Sequence, residues 1–265
     1  MTTVEDAPTE VGAPGSTSRW TWSGFPWWLV GIVLTIALIF LQVLTEDTWR
    51  EGFDFIILGL PQTLILTAGG FVIAIGLGMI VALARLSRNT VLRNLSMYYI
   101  ELIRGVPVIV TILFISFAVF GEGSRILGFP QVDKMWRGIA ALGLIYAAFI
   151  AEVFRAGIQS IPRGQVEAGR SVGMSQRQVF RNIVLPQAIR NIMPALGNDL
   201  IALLKDSALV SLIAVRELTQ QTRLWTGTNF TFIEGYLVLT AFYLTLTVSL
   251  SLLLRWYERR IRVPG

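Results

Sequence analysis

The sequence predicts an all-α polytopic membrane protein of about six transmembrane helices. Of 265 residues, 54% are hydrophobic and only 15% charged, and the mean hydropathy is positive. Such a chain has too little polar surface to cover a soluble domain. The apolar residues gather in runs long enough to cross a hydrocarbon core of about 30 Å at about 1.5 Å per residue. The arginines gather on alternate connections between those runs.

Residues 1–19 are rich in Thr, Pro, Gly, Ala and Ser and carry Glu5, Asp6 and Glu10, without the basic start of a signal peptide. Residues 1–24 are therefore expected to form a disordered cytoplasmic tail. The first apolar run, Phe25 to Leu44, has no small-residue cleavage pattern. It is expected to remain as an extra N-terminal membrane helix, followed by an external loop to residue 54. Five further spans are expected, at Phe55 to Ala84, Leu95 to Phe120, Trp136 to Phe154, Ile192 to Ala214 and Tyr236 to Leu254. They lie in a transmembrane domain at 55–255, and 256–265 is a second cytoplasmic tail.

An even number of spans puts both ends on one side, and lysine and arginine decide which. Arg85, Arg88 and Arg93 follow the second span, and Arg155, Arg163, Arg170, Arg177, Arg181 and Arg190 follow the fourth. Arg255, Arg259, Arg260 and Arg262 close the chain, whereas the other side has only Arg50, Arg125, Lys134, Arg137, Arg216 and Arg223. The termini and the 160–190 loop are thus expected in the cytoplasm. Interfacial aromatic residues agree: Trp20, Trp22, Trp27 and Trp28 precede the first span, Trp49 follows it, Trp136 opens the fourth, and Trp256 and Tyr257 close the last. Gly69, Gly70, Gly76 and Gly78 make a small-residue face in the second span, suited to close helix packing.

Several function classes drop out. The chain has no cysteine and no histidine, which excludes thiol or imidazole metal sites, disulfide frameworks and a histidine-based catalytic triad. A formal charge of +5 would suggest nucleic acid in a soluble protein, but here the arginines border apolar spans, so topology accounts for them. No nucleophile–base pair points to an enzyme.

Charged groups within spans cost about 2.5–3.5 kcal/mol at a helix centre and so mark candidate sites. Glu101 and Arg104, like Glu152 and Arg155, are three residues apart and can meet on one helix face. Each pair is either a structural salt bridge or a gate or substrate contact. Lys205 and Asp206 lie deeper, and adjacent residues diverge by about 100° on a helix, so each needs its own partner. Either the chain unwinds around Lys205 to Ser207 and lines a cavity, or both charges satisfy interhelical contacts. Glu101, Arg104, Glu152, Asp199, Lys205 and Asp206, with Asn198 and Ser207, supply both donors and acceptors and are the candidate substrate-pathway residues.

The loop from Gly164 to Pro186 is the most informative segment. Gln165 to Val172 can form a short helix, Gly173 a left-handed stop, and Ser175 a cap for a second helix through Phe180 and Ile183 that Pro186 interrupts. Two short helices about a glycine make a knob carrying Arg163, Arg170, Arg177, Arg181 and Glu167. It suits a groove on a soluble partner; a solvated linker is the plain alternative.

Its order, Glu167-Ala168-Gly169, three residues, Gly173, nine residues, Ile183-x-Leu185-Pro186, resembles the EAA loop of permease subunits of ATP-binding-cassette importers. The one departure is Gly169, where the family usually has alanine. Five strings resemble the polar amino-acid uptake branch of those permeases: Tyr99-x-Glu101-x-x-Arg104-Gly105-x-Pro107, Ala151-Glu152-x-Phe154-Arg155-Ala156-Gly157-x-x-Ser160-Ile161, Gly164-Gln165-x-Glu167-Ala168, Leu185-Pro186-Gln187-Ala188 and Leu204-Lys205-Asp206-Ser207-x-Leu209. The resemblance extends over about residues 55–255, most of the chain. The resemblance implies a type I importer fold, with a five-helix core preceded here by one N-terminal helix, in a bacterial cytoplasmic (inner) membrane. It implies a second permease subunit, identical or homologous, a cytoplasmic ABC ATPase dimer, and an extracytoplasmic amino-acid-binding protein. Carried over by position, Glu167, Ala168, Gly169 and Gly173 are the expected ATPase-coupling contacts, with Gln165, Arg170 and Arg177 beside them. The chain contains no GxxxxGK[ST] phosphate loop, so ATP and Mg are expected in the partner and no cofactor here. The competing expectations are an importer of another small solute, and a channel or scaffold.

Overall fold

The computed structural model of the chain describes residues 27–261; the expected N-terminal tail, Trp20, Trp22 and Arg262 lie outside them. The elements are α1 (Trp27–Thr45), α2 (Asp47–Ile56), α3 (Leu60–Leu86), α4 (Thr90–Gly105) and α5 (Val108–Leu113). A π-helical stretch, Phe114–Gly123, leads into α6 (Ser124–Ile126), and α7 (Lys134–Gln159) comes next. The loop holds α8 (Arg163–Ser171), α9 (Gln176–Val179) and a π-helical stretch at Phe180–Val184. After it come α10 (Leu185–Asp206), a 3₁₀ stretch at Ser207–Ile213, α11 (Leu218–Asn229) and α12 (Phe232–Ile261). No strand occurs among the described residues.

Five stretches are long and apolar enough to cross a membrane: Trp27–Thr45, Asp47–Leu86, Val108–Ile126, Lys134–Gln159 and Phe232–Glu258. The span expected at 192–214 is not among them. Its residues fall in α10, where Asn198, Asp199, Lys205 and Asp206 dilute the apolar run, and in the tighter turns after it. The span expected at Leu95 to Phe120 is also corrected. The chain breaks between α4 and α5, with Val106 extended at φ −109° and ψ 138°. Pro107 lacks an N–H and disfavours the helical region for the residue before it, so the helix ends although the hydropathy runs on.

α7 is the centre of the molecule. Its buried residues, from Gly138 to Gly157, recur around much of the helix. α3 packs along its length, with α4, the α5 segment and α10 on other sides. The α3–α7 contact is close because each helix offers glycine to the other. A Cβ on Gly78 would sit 2.9 Å from Ile150 Cγ2, and one on Gly143 would sit 2.6 Å from Ile73 Cγ2. Of the glycine face read in the sequence, Gly69, Gly70 and Gly78 meet α7 residues, whereas Gly76 faces open space.

A second, smaller core joins Ile39 and Val43 of α1 to Ile56, Leu218, Trp225, Val238 and Leu239. α1 packs mainly against α2 and α12, and Arg255 lies over the Trp28 ring at 5.2 Å. α10 and α12 touch at Gly197 against Leu254.

Candidate functional site

The loop folds as a knob with an apolar centre. Ile161, Val179 and Val184 are buried together, with Ile158, Val166, Met174 and Ile183 packed around them. α8 ends at Gly173, whose φ of +83° favours glycine. Ser175 then opens α9 with a capping box: its hydroxyl accepts from the Gln178 N–H, and the Gln178 side chain accepts from the Ser175 N–H. Pro186 does not interrupt the helical path, a correction to the sequence expectation. It lies in the first turn of α10, where its missing N–H costs little, and the π-helical stretch joins α9 to α10.

Gln165, Glu167, Ala168, Arg170, Gly173 and Arg177 are all exposed on this knob. Gly169 is buried instead, and a Cβ there would come 2.7 Å from Ile183 Cδ1. The end of the isoleucine side chain thus occupies the space an alanine methyl would need. Val172, 78% exposed, presents an apolar side chain among the arginines. Among the described residues neither Glu167 nor Arg163, Arg170, Arg177 or Arg181 forms an ion pair. The knob therefore offers unspent charge of both signs around an apolar spot, a surface that a grooved partner can match.

The charged pairs of the spans fare differently. Glu152 and Arg155 form the expected pair, with Arg155 Nη2 at 2.6 Å and Nε at 2.9 Å from Glu152 Oε2. Arg85 of α3 adds a second cation to the same carboxylate, at 3.8 Å, which spacing within one helix gave no means of seeing. Glu152 thereby ties α3 to α7 near the loop. Glu101 and Arg104 form no such pair; both are exposed, and the Arg104 guanidinium lies 5.9 Å from the Phe149 ring centre.

That ring begins a chain of contacts across α7. Phe149 lies 5.8 Å from the Tyr146 ring, and the Tyr146 hydroxyl donates to Asp206 Oδ2 at 2.8 Å. Arg104 and Asp206 are thus connected through two aromatic rings of α7. Asp199 stands two turns before Asp206 on α10, with a buried Oδ2 that has no hydrogen-bond partner among the described residues. Asn198 and Lys205 are both exposed. Ser207 is used locally: it is buried and donates to Leu204 O at 2.7 Å. The chain tightens into 3₁₀ turns at Ser207 rather than unwinding. Asn198, Asp199, Lys205 and Asp206 follow one another along the last turns of α10, and Arg104 is linked to Asp206 through the two rings; Glu152 belongs to the loop end, and Ser207 to the backbone.

Two residues that the charge reading passed over join knob to helix. Gln187 donates to Gln165 Oε1 at 2.7 Å, and Asn191 to Ser160 Oγ at 2.9 Å. Asn191 carried no signal in the sequence, and Gln187 was visible only as part of the Leu185–Ala188 string.

Comparison with known proteins agrees with this architecture. Residues 74–263 match the family described as "Binding-protein-dependent transport system inner membrane component". The chain is 39% identical over 217 residues to the probable amino-acid permease protein YxeN of Bacillus subtilis (strain 168), covering 81% of this chain and 94% of that one. It is 34% identical over 196 residues to the glutamine transport system permease protein GlnP of Escherichia coli (strain K12), covering 74% and 86%. Among solved structures, one described as an amino acid ABC transporter with histidines superposes with a TM-score of 0.72 at 37% identity, covering 78% of this chain and 94% of that one. The MetNI methionine transporter, at 22% identity and a TM-score of 0.63, shares the fold, with 79% of this chain and 97% of that one covered. With its match running through most of the chain and its helices superposing on a solved importer, this multi-pass membrane protein belongs to the binding-protein-dependent transport system inner membrane component family and has the type I ABC importer permease fold.

Proposed function

We propose that the chain is the membrane-spanning subunit of an ATP-driven importer that carries polar amino acids across a bacterial cytoplasmic membrane by alternating access. The observation that carries this reading is the knob at 163–184. It is internally packed, and its outer surface bears Glu167 and four arginines that form no ion pair among the described residues. An ATPase engaging Gln165, Glu167, Ala168, Arg170 and Arg177, with Gly169 and Gly173 holding their backbone, couples hydrolysis to movement of the spans. ATP and Mg bind in that partner, whose dimer faces two permease subunits, and an external binding protein delivers the solute. The arginine bias sets the knob and both termini in the cytoplasm.

Substrate contact is assigned to Arg104, Asn198, Asp199, Lys205 and Asp206, with Glu101 at the margin. Cations meet the carboxylate of an amino acid and carboxylates its ammonium. The relatives named as amino-acid and glutamine permeases support that solute class.

The test is uptake of a labelled amino-acid panel into proteoliposomes holding this chain, its co-purified ATPase and its binding protein. One class of amino acid is expected to accumulate only with ATP, and Glu167→Lys is expected to abolish uptake while the spans stay inserted. Full uptake by Glu167→Lys overturns the coupling role. An assembled, hydrolysing complex that takes up no amino acid moves the substrate to another small solute.

A further inference from the structure

α10 presents Gln187 and Asn191 one turn apart, on the side turned to α8 and the end of α7. Gln187 Nε2 donates to Gln165 Oε1 in α8 at 2.7 Å and to Ile183 O at 2.8 Å. Asn191 Nδ2 donates to Ser160 Oγ at 2.9 Å, and that hydroxyl donates on to Gly157 O at 2.8 Å. These bonds join segments 22 and 31 residues apart. Beneath them the helices touch directly, since a Cβ on Gly157 would lie 2.2 Å from Ile192 Cγ1.

Exposed side-chain hydrogen bonds replace bonds to water and add little to stability. Their effect lies in orientation. The knob is already one piece, held by its own apolar centre, so Gln187 fixes its angle to α10 while Asn191 pins α10 to the C-cap of α7, from which the knob springs. At its other end α10 is tied to α7 through Asp206 and Tyr146. The helix runs unbroken through Pro194 between the two.

We propose that Gln165–Gln187 and Ser160–Asn191 form a two-point amide latch that makes the knob, the end of α7 and α10 move as one body. A displacement of α8 is then delivered to Asp199, Lys205 and Asp206 instead of being absorbed in the loop. α10 spans 22 residues, about 33 Å of rod, so a tilt of about 5° moves its far end by about 3 Å. All four latch residues act here by positioning. This inference rests on the coupling role proposed above for the knob.

The experiment uses the reconstituted complex and measures solute uptake and ATP hydrolysis in the same vesicles. Gln165→Leu, Gln187→Leu and Asn191→Leu are each expected to lower uptake per ATP by about fivefold or more. The double variant Gln165→Leu/Gln187→Leu is expected to be no worse than its weaker single, because one bond is lost only once. An unchanged ratio in all of them, with Glu167→Lys still abolishing uptake, overturns the latch and leaves the coupling role standing. Full uptake by Glu167→Lys instead removes the premise and the latch with it.

A bridging experiment decides the matter if the leucine variants fail to assemble. The chain has no cysteine, so Ser160→Cys/Asn191→Cys provides the only thiol pair within it, for a short reducible bifunctional reagent. Uptake that survives bridging is the expected result, since the latch stays closed through the cycle. Loss of uptake on bridging, restored by reduction, shows that the two residues must part and overturns the proposal.

Discussion

Ala214 closes the 3₁₀ stretch at φ 60°, a left-handed position for a residue with a Cβ. That conformation costs an L residue about 1–2 kcal/mol, part of which glycine gives back in the unfolded chain. Ala214→Gly is therefore expected to stabilise the protein by about 0.5–1 kcal/mol, read as a higher unfolding midpoint in detergent. Phe230, at φ 59°, ends α11 in the same way. The contrast with Gly173 shows what a residue can reveal beforehand. Glycine announces its turn, whereas alanine and phenylalanine in the same conformation carry no mark of it. The candidate site divides similarly. Lys205 and Asp206 stand out by charge among apolar neighbours, but Tyr146, the partner of Asp206, is 60 residues away. In transport, Lys205→Ala is expected to lose most uptake while the complex still assembles; failure to assemble would show the lysine to be structural.

Between helices, the decisive contact is α3 against α7. Gly143→Val would place its branches on Ile73, whose Cγ2 and Cβ lie 2.6 and 2.7 Å from a Cβ at that position. Because Ile73 Cβ is fixed to its backbone, the helices must separate, at a cost of about 1–3 kcal/mol. A lower midpoint is expected, and a looser α3–α7 contact in the accessibility of a cysteine introduced at Gly76, whereas Gly76→Ala, facing open space, is expected to change little. The glycine face of α3 was readable because small residues recur along it, but its partner was not, since the residues of α7 that meet it lie far along the chain. Hydropathy also concealed the break at Val106–Pro107. Apolar side chains continue across it, and only the missing N–H of Pro107 reveals it.

Across the molecule, Glu217 makes the fold sensitive to pH. It is fully buried, caps α11 by accepting from the Thr219 and Gln220 N–H groups, and accepts from the Tyr243 hydroxyl. Burial pushes its carboxyl up from 4.5 to about 7, against the downward pull of those bonds. A raised carboxyl stabilises the fold fully below about pH 4.5, and that contribution fades as pH rises through about 7. The loss is on the order of 3 kcal/mol. The unfolding midpoint is expected to fall between pH 5 and 8, and Glu217→Gln to flatten the profile; identical profiles would refute the assignment. The membrane class of the whole chain was legible because apolar runs need no partner to be recognised. The division into two cores was not, because it depends on which distant helices meet.

One contact bears on how the chain is made. α1 emerges well before its partner α12, and Arg255 reaches Trp28 only after the more than 200 residues between them have been synthesised. A nascent chain halted before residue 232 would hold its first helix in the bilayer with much of its packing surface unmatched. Closure of α1 on α12 thus requires that everything between them has been made, and the ring–guanidinium contact is one that chains halted short of residue 255 lack.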